Sequence, residues 1–174
     1  MAALITYNDI KAVVDMSANV SSIKSAAAIF DTQNIDIKDA IGNGLLLQLT
    51  TALDSLPLST ALSDLYNGCT YTYTDYTFNH VGLKRIACLY AYARLLEKGN
   101  ITVTQFGAVE KKSEYSDYAQ DKSLARSINA FREEAFRYLI ETKEFIIRNI
   151  ADYPLYNGYF KSDKRGVQIK IIGN

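Results

Sequence analysis

Four sets of residues in this chain have the types that chemistry uses. The single histidine is His80. A histidine works as a general acid or base only beside a nucleophile or an acid partner. No Gly-x-Ser-x-Gly, Cys-His or His-Glu-x-x-His constellation accompanies it, which leaves a capping or packing role. The two cysteines, Cys69 and Cys88, have neither a metal-ligand spacing nor the number of a disulfide framework. Cys88 falls within an apolar helical stretch, where a thiol serves as a small core group. Glu133-Glu134 and the Glu141/Glu144 pair are the third set. Arg137 stands four residues after Glu133, and Arg148 four after Glu144. That spacing predicts surface ion pairs of a few tenths of a kcal/mol. A two-metal carboxylate centre would need a Glu-x-x-His on a second helix, and the sequence has none. Last, Ile41-Gly42-Asn43-Gly44 has no following glycine or Lys-Ser/Thr and no strand before it. It predicts a turn or close helix packing instead of a phosphate loop. No catalytic residue, cofactor or metal is expected.

The elements that hold these residues read as helices around one buried helix. In the stretch 80–99, Leu83, Ile86, Ala87, Tyr90, Ala93 and Leu96 follow helical spacing, while Val81, Cys88, Leu89, Tyr92 and Leu95 cover much of the other side. A helix apolar nearly all round is a buried one. Ahead of it, Thr6 and Asp9 mark a helix start. A helix over 22–33 places Ile23, Ala26, Ala27 and Phe30 on one face. An irregular link is expected over 34–39, then helices over 45–56, stopped by Pro57, and over 58–66. The run 70–78 alternates hydroxyl and aromatic side chains, a strand signature, with Asp75 in the turn of a small hairpin. A tyrosine ladder of this kind also suits sugar binding or base stacking, but without a basic surround the structural reading is preferred.

After the buried helix, 101–109 alternates again and predicts an extended loop. Residues 110–121 form a solvated connection. The longest periodic stretch follows, from Leu124 to Ile150. As one helix over about 121–151 it spans roughly 45 Å, against a radius of gyration of ~16 Å for a domain of this size. One end should protrude or run along a neighbouring subunit. Asp152-Tyr153-Pro154 breaks it. Residues 1–153 then make a helical domain and 154–174 an extended C-terminal arm. The arm carries Tyr159, Phe160, Lys161, Lys164 and Arg165, then the alternating Val167, Ile169 and Ile171. It suits strand addition to another chain, or folding back beside the hairpin. The fold class is mainly α: a helical bundle around a buried central helix, one small β-hairpin and that arm.

Hydrophobic residues make up 48% of the 174 and charged ones 22%, the balance of a globular chain. A formal net charge of zero provides no global field to steer the chain onto nucleic acid. Thirteen tyrosines without a tryptophan suit half-buried contact surfaces. No leader pattern and no apolar run near ~18 residues is present, so a soluble protein of a reducing cytoplasm with no membrane association is expected.

The order of short motifs goes further. These are Ile5-Thr6-Tyr7-Asn8-Asp9-Ile10; Ala28-Ile29-Phe30-Asp31-Thr32-Gln33-Asn34-Ile35-Asp36-Ile37, then Ala40-Ile41-Gly42; Leu65-Tyr66-Asn67-Gly68; Gly82-Leu83-Lys84 with Tyr90-Ala91-Tyr92-Ala93-Arg94; Phe106-Gly107-Ala108-Val109-Glu110-Lys111 with Ser116; Arg132 through Ala135; and Tyr153-Pro154. In this order, over residues 5–156, the chain resembles the head–tail connector (adaptor) proteins of tailed double-stranded DNA phages, in particular those of crAss-like and related phages. The resemblance implies a non-enzymatic virion protein of the neck, made in the host cytoplasm. Its protomers would form a homo-oligomeric ring, expected to be a dodecamer, beneath the portal protein. The ring would extend the channel through which genomic DNA passes without sequence-specific binding, and dock the next neck or tail protein. In that setting Glu133, Arg137, Glu141 and Glu144 are candidate subunit-interface residues. Tyr159, Phe160, Lys161, Lys164, Arg165, Val167, Ile169 and Ile171 are candidate contacts to the portal or a neighbouring subunit. Within the phage reading, a stopper or tail-completion ring is a variant. A helical nucleic-acid-binding or regulatory module is the alternative of a different class, and a small-molecule enzyme is the least supported.

Overall fold

The computed structural model describes residues 2–14, 16, 22–99, 101–104, 107–110 and 121–157. Its first helix, α1 (Tyr7–Val13), begins with the cap the sequence predicts. The Thr6 hydroxyl accepts from the Asp9 N–H, and the Asp9 carboxylate accepts from the Thr6 N–H at 2.7 Å. Helix α2 (Ser22–Asp31) passes directly into a π-helical turn (Thr32–Ile37) and α3 (Lys38–Ile41). The irregular link expected over 34–39 is therefore helical. The wide turn re-phases the helix so that Thr32, Gln33 and Ile37 are buried together. Gln33 accepts from the Leu4 N–H at 2.8 Å, and Asp36 receives a two-pronged grip from Arg94 at 2.8 and 3.0 Å. These long-range bonds select helix where local composition points to a loop.

Gly42, at φ +85°, turns the chain into α4 (Asn43–Asp54), and α5 (Thr60–Asn67) follows, capped by the Ser59 hydroxyl. Strands β1 (Cys69–Tyr73) and β2 (Tyr76–His80) pair antiparallel from Cys69 opposite His80 to Tyr73 opposite Tyr76. Thr74 and Asp75 both take positive φ, the two-residue turn that matches strand twist. The base of this hairpin is a backbone crossing: a Cβ on Gly82 would lie 2.3 Å from the Gly68 nitrogen. Only glycine fits there, and this close crossing delivers the chain into α6 (Gly82–Gly99).

Helix α6 is the buried centre. Leu83, Ile86, Ala87, Cys88, Leu89, Ala91, Ala93 and Leu95 are all buried. Helices α1, α2, α5, the π-helical turn and the last helix pack around it. A second antiparallel hairpin, β3 (Ile101–Thr104) with β4 (Gly107–Glu110), forms where an extended loop was expected. Its β-branched first strand finds a partner instead of remaining single.

Helix α7 (Asp121–Arg148) is 28 residues long, about 42 Å at ~1.5 Å per residue. It runs back along α6. Phe131 meets the edge of Tyr92, Arg132 pairs with Glu97 at 2.7 Å, and Phe145 reaches His80 at the far end. None of the side chains of 123–130 is fully buried, and Leu124 and Ile128 are half-buried there. A 3₁₀ turn (Ile150–Asp152) leads to Tyr153, which is buried and donates its hydroxyl to the Ala61 carbonyl at 2.8 Å.

The chain then folds back on the α3–α4 junction. The Asn157 N–H meets the Ile41 carbonyl, and Gly42 and Gly44 lie tight against the backbone of Asn157 and Leu155. Of the two meanings expected of those glycines, the turn is realised at Gly42, while the close packing is against the non-helical segment after Tyr153 instead of another helix. The fold is thus mainly α, a bundle around a buried helix. The expected arm is described only as far as Asn157, and the connection over 111–120 lies outside the described residues. Among the described residues no helix is long and apolar enough to cross a membrane.

Candidate functional site

Hairpin register brings Cys69 against His80. The thiol sulfur lies 3.5 Å from His80 Nε2, and the Thr142 hydroxyl lies 3.5 Å from Nδ1. This is a Cys–His pair that a search for local motifs does not find. The signal was nonetheless present: once the two-residue turn is centred on Thr74-Asp75, Cys69 falls opposite His80. The imidazole is 1% exposed, stacks on Phe145 at 4.1 Å between ring centres and meets Tyr71 edge-on at 6.3 Å.

Electrostatics decide what this cluster can do. A cysteine nucleophile needs a thiolate, usually held by an imidazolium. Here burial, and secondarily Asp64, push the Cys69 thiol up, while burial pushes His80 down to about 4. Both groups therefore rest neutral at pH 7, and Thr142 supplies no charge to stabilise an imidazolium. The cleft beside them, about 410 Å³ and bordered by Asp64, Thr70, Asn149 and Asp152, reaches Cys69 but not the His80 ring. The arrangement is a packing node that joins β1, β2 and α7. Cys88, fully buried on α6, is pushed up to about 12 by burial and is equally unreactive. Among the described residues no group of three or more His, Cys, Asp or Glu side chains could hold a metal.

The tyrosine ladder is largely occupied from within. Tyr71, Tyr73 and Phe78 share one face of the hairpin, and the Arg148 guanidinium lies over all three rings, closest to Phe78 at 4.0 Å. Arg148 also donates to the Tyr71 hydroxyl at 3.0 Å and to Glu144 at 3.2 Å. A cation held over stacked aromatics pins the hairpin to α7 and leaves only Tyr73 and Tyr76 exposed at the tip.

Of the residues expected to meet partners, Glu133, Arg137, Glu141 and Glu144 all lie exposed along one stripe of α7. The Glu144–Arg148 pair forms. The Glu133–Arg137 pair does not close to within 4.0 Å, a correction that the small energy of exposed pairs explains. Among the described residues, three charged groups of the stripe thus have no ion-pair partner. Tyr159, Phe160, Lys161, Lys164, Arg165, Val167, Ile169 and Ile171 lie outside the described residues.

Sequence reasoning missed the principal surface feature. The apolar face of α2 is turned to solvent: Ile23 is 80% exposed and Phe30 67%, with Ala26 and Ala27 exposed between them. The inward face consists of Ser25, Ala28 and Ile29. The two charged side chains of α2 that flank this patch both turn to Lys98 of α6. Lys24 donates to its carbonyl at 3.2 Å, and Asp31 pairs with its ammonium at 2.6 Å. The outer face is left with no charge. A model of a family of unknown function (DUF6712) matches residues 37–165, well over half of the chain. No curated protein and no solved structure matches it.

Proposed function

The chain belongs to the DUF6712 family, and we propose that it is a structural virion protein, a head–tail connector whose copies form a ring beneath the portal. In this reading the ring is a dodecamer, continues the DNA channel and presents a docking face to the next neck or tail protein. It sits in the virion after synthesis in the host cytoplasm, works without a cofactor and catalyses no reaction.

The observation that carries the reading is the outward apolar face of α2. A helix that turns Ile23 and Phe30 to water while burying only Ile29 of its large apolar side chains, beside Ser25 and Ala28, is arranged for contact with another molecule. Two further features support it. The order of motifs over residues 5–156 resembles connector proteins, and the charged stripe of α7 offers a second face with unspent polar groups. A ring requires two different faces on each protomer. A neutral chain also suits a channel, because strong phosphate contacts would retard the passage of DNA.

Mass photometry of the purified protein, alone and with the portal encoded in the same genome, tests this reading. Ring-sized particles, free or capping the portal, are the expected result. A protein that remains a monomer in both mixtures overturns it. Salt-sensitive DNA binding by that monomer would move the assignment to a nucleic-acid-binding module.

A further inference from the structure

The geometry points to the contact that builds the ring: the outward face of α2 in one copy seats in an apolar groove along α4 of the next. This inference rests on the ring reading above and names the surfaces it would use. The groove has a volume of about 620 Å³ and follows α4 from Gly44 to Ser55. Leu47, Thr51 and Ala52 of α4 line it together with Leu62 and Leu155, and none of its lining residues is charged. Leu47 and Leu155 are each 48% exposed within it.

Three properties match the two surfaces. The first is charge: the outer face of α2 has none because Lys24 and Asp31 are both bound to Lys98, and the groove has none by composition. Bringing the two together strands no ion away from water. The second is length. Ile23 and Phe30, seven residues apart on one face, are separated by about 10 Å of helix, and the groove follows roughly 16 Å of α4. Both anchors fit at once. The third is area. Two large apolar side chains offer on the order of 200 Å², a fraction of the ~800 Å² per partner of a stable interface. The patch is therefore the apolar anchor of a larger contact between copies.

The donor face and the receiving groove are different surfaces of one chain. Their union is therefore head-to-tail, the type of interface that closes into a ring when the rotation per copy allows it. An α2-to-α2 contact would instead stop at a dimer.

Two variants separate these cases: Phe30→Glu spoils the donor face, and Leu47→Glu spoils the groove. Both positions are exposed, so each variant should melt like the parent protein by circular dichroism. Sedimentation is run on each variant alone and on their mixture, with and without portal. Loss of rings in both variants, with a 1:1 complex and nothing larger in the mixture, is the expected result. The Leu47→Glu copy keeps its donor face and the Phe30→Glu copy keeps its groove, so one sound contact remains between them.

Rings formed by either variant, or a mixture that stays monomeric, overturn the inference. A photo-crosslinker placed at position 47 in mixed light- and heavy-isotope protein should capture α2 of another copy. Capture of residues 158–174 instead would assign the groove to the C-terminal segment and overturn the inference as well. Rings in wild type that survive Phe30→Glu sink this contact alone. A wild type that never forms rings sinks the connector reading itself.

Discussion

Helices α2 and α6 are both rich in alanine and large apolar side chains, yet they are used in opposite ways. Helix α6 leaves none of its apolar side chains exposed, because α1, α2, α5, the π-helical turn and α7 surround it. Among its described side chains, helix α2 gives that shared core Ser25, Ala28 and Ile29, and keeps Ile23 and Phe30 outside. Helix α2 packs on α6 through that inward face, and the Lys24 hydrogen bond to the Lys98 carbonyl together with the Asp31–Lys98 ion pair holds its rotation. The difference shows that apolar periodicity identifies a face but not what the face meets. That is decided by how many partners the rest of the chain supplies.

The contrast breaks most visibly at the centre. Leu89→Ala removes a fully packed side chain from α6 and should cost roughly 2–5 kcal/mol, the range for a leucine cavity that collapses only in part. Urea unfolding measures it directly. A loss below ~1 kcal/mol would mean that α6 is not the tightly packed centre described here.

Next in size is the effect of pH at the His80 node. Above pH 6.5 the imidazole is neutral in both folded and unfolded chains. Between 6.5 and about 4 the unfolded chain takes up a proton that the folded chain refuses. Stability is therefore complete above pH 6.5 and falls as pH falls through that window, by up to about 3 kcal/mol in all. Asp9 acts at lower pH. Burial raises it, but hydrogen bonds from Lys84 and Thr6 hold it below the usual carboxylate range. Its contribution is present above the ordinary carboxylate range and is lost only as pH falls below about 4. His80→Gln should flatten the 4–6.5 window and leave the lower one. An unchanged slope between pH 6.5 and 4 would show that His80 titrates as freely as it does in the unfolded chain.

These centres differ in how far the sequence discloses them. The capping box at Thr6, the turn at Thr74-Asp75 and the burial of α6 depend on neighbours within a few residues, and all are legible. The Cys69–His80 contact needed one more step, from turn to register. The helical path of 34–39 was not legible, since it depends on Gln33 meeting Leu4 and Asp36 meeting Arg94, 29 and 58 residues away. The outward rotation of α2 has the same origin. It is fixed by Lys98, far along the chain, while hydrophobic spacing is the same whichever way the helix turns. Glu133, Arg137, Glu141 and Glu144 share a stripe as helical spacing requires, but spacing did not reveal which pair would close.

A smaller effect belongs to Arg148. Its charge over Phe78, Tyr73 and Tyr71 and its hydrogen bond to the Tyr71 hydroxyl join the hairpin to α7. Arg148→Ala should lower stability by about 1–2 kcal/mol, and Arg148→Met should restore part of this through its apolar stem. Hydrogen exchange read across β1 and β2 should quicken in the alanine variant while α2 is unaffected. Equal quickening in α2 would contradict a local clamp.

The smallest effect on folding is expected at the most apolar part of the surface. Phe30→Ser and Ile23→Ser each remove a large side chain, as Leu89→Ala does, but from a position already in water. No cavity opens, and the free energy of transferring the side chain out of water was never gained in the monomer. Serine and large apolar residues also differ little in helix propensity. Each variant should therefore remain within ~0.5 kcal/mol of the parent in urea unfolding of dilute monomer. If Phe30 were instead packed against another part of its own chain, Phe30→Ser would cost several times more, as core aromatic truncations do. The same denaturation at high protein concentration sharpens the contrast. Association stabilises the parent by mass action, so its midpoint should rise with concentration while that of Phe30→Ser stays fixed. Parallel concentration dependence in the two proteins would show that the outer face of α2 has no part in contact between copies.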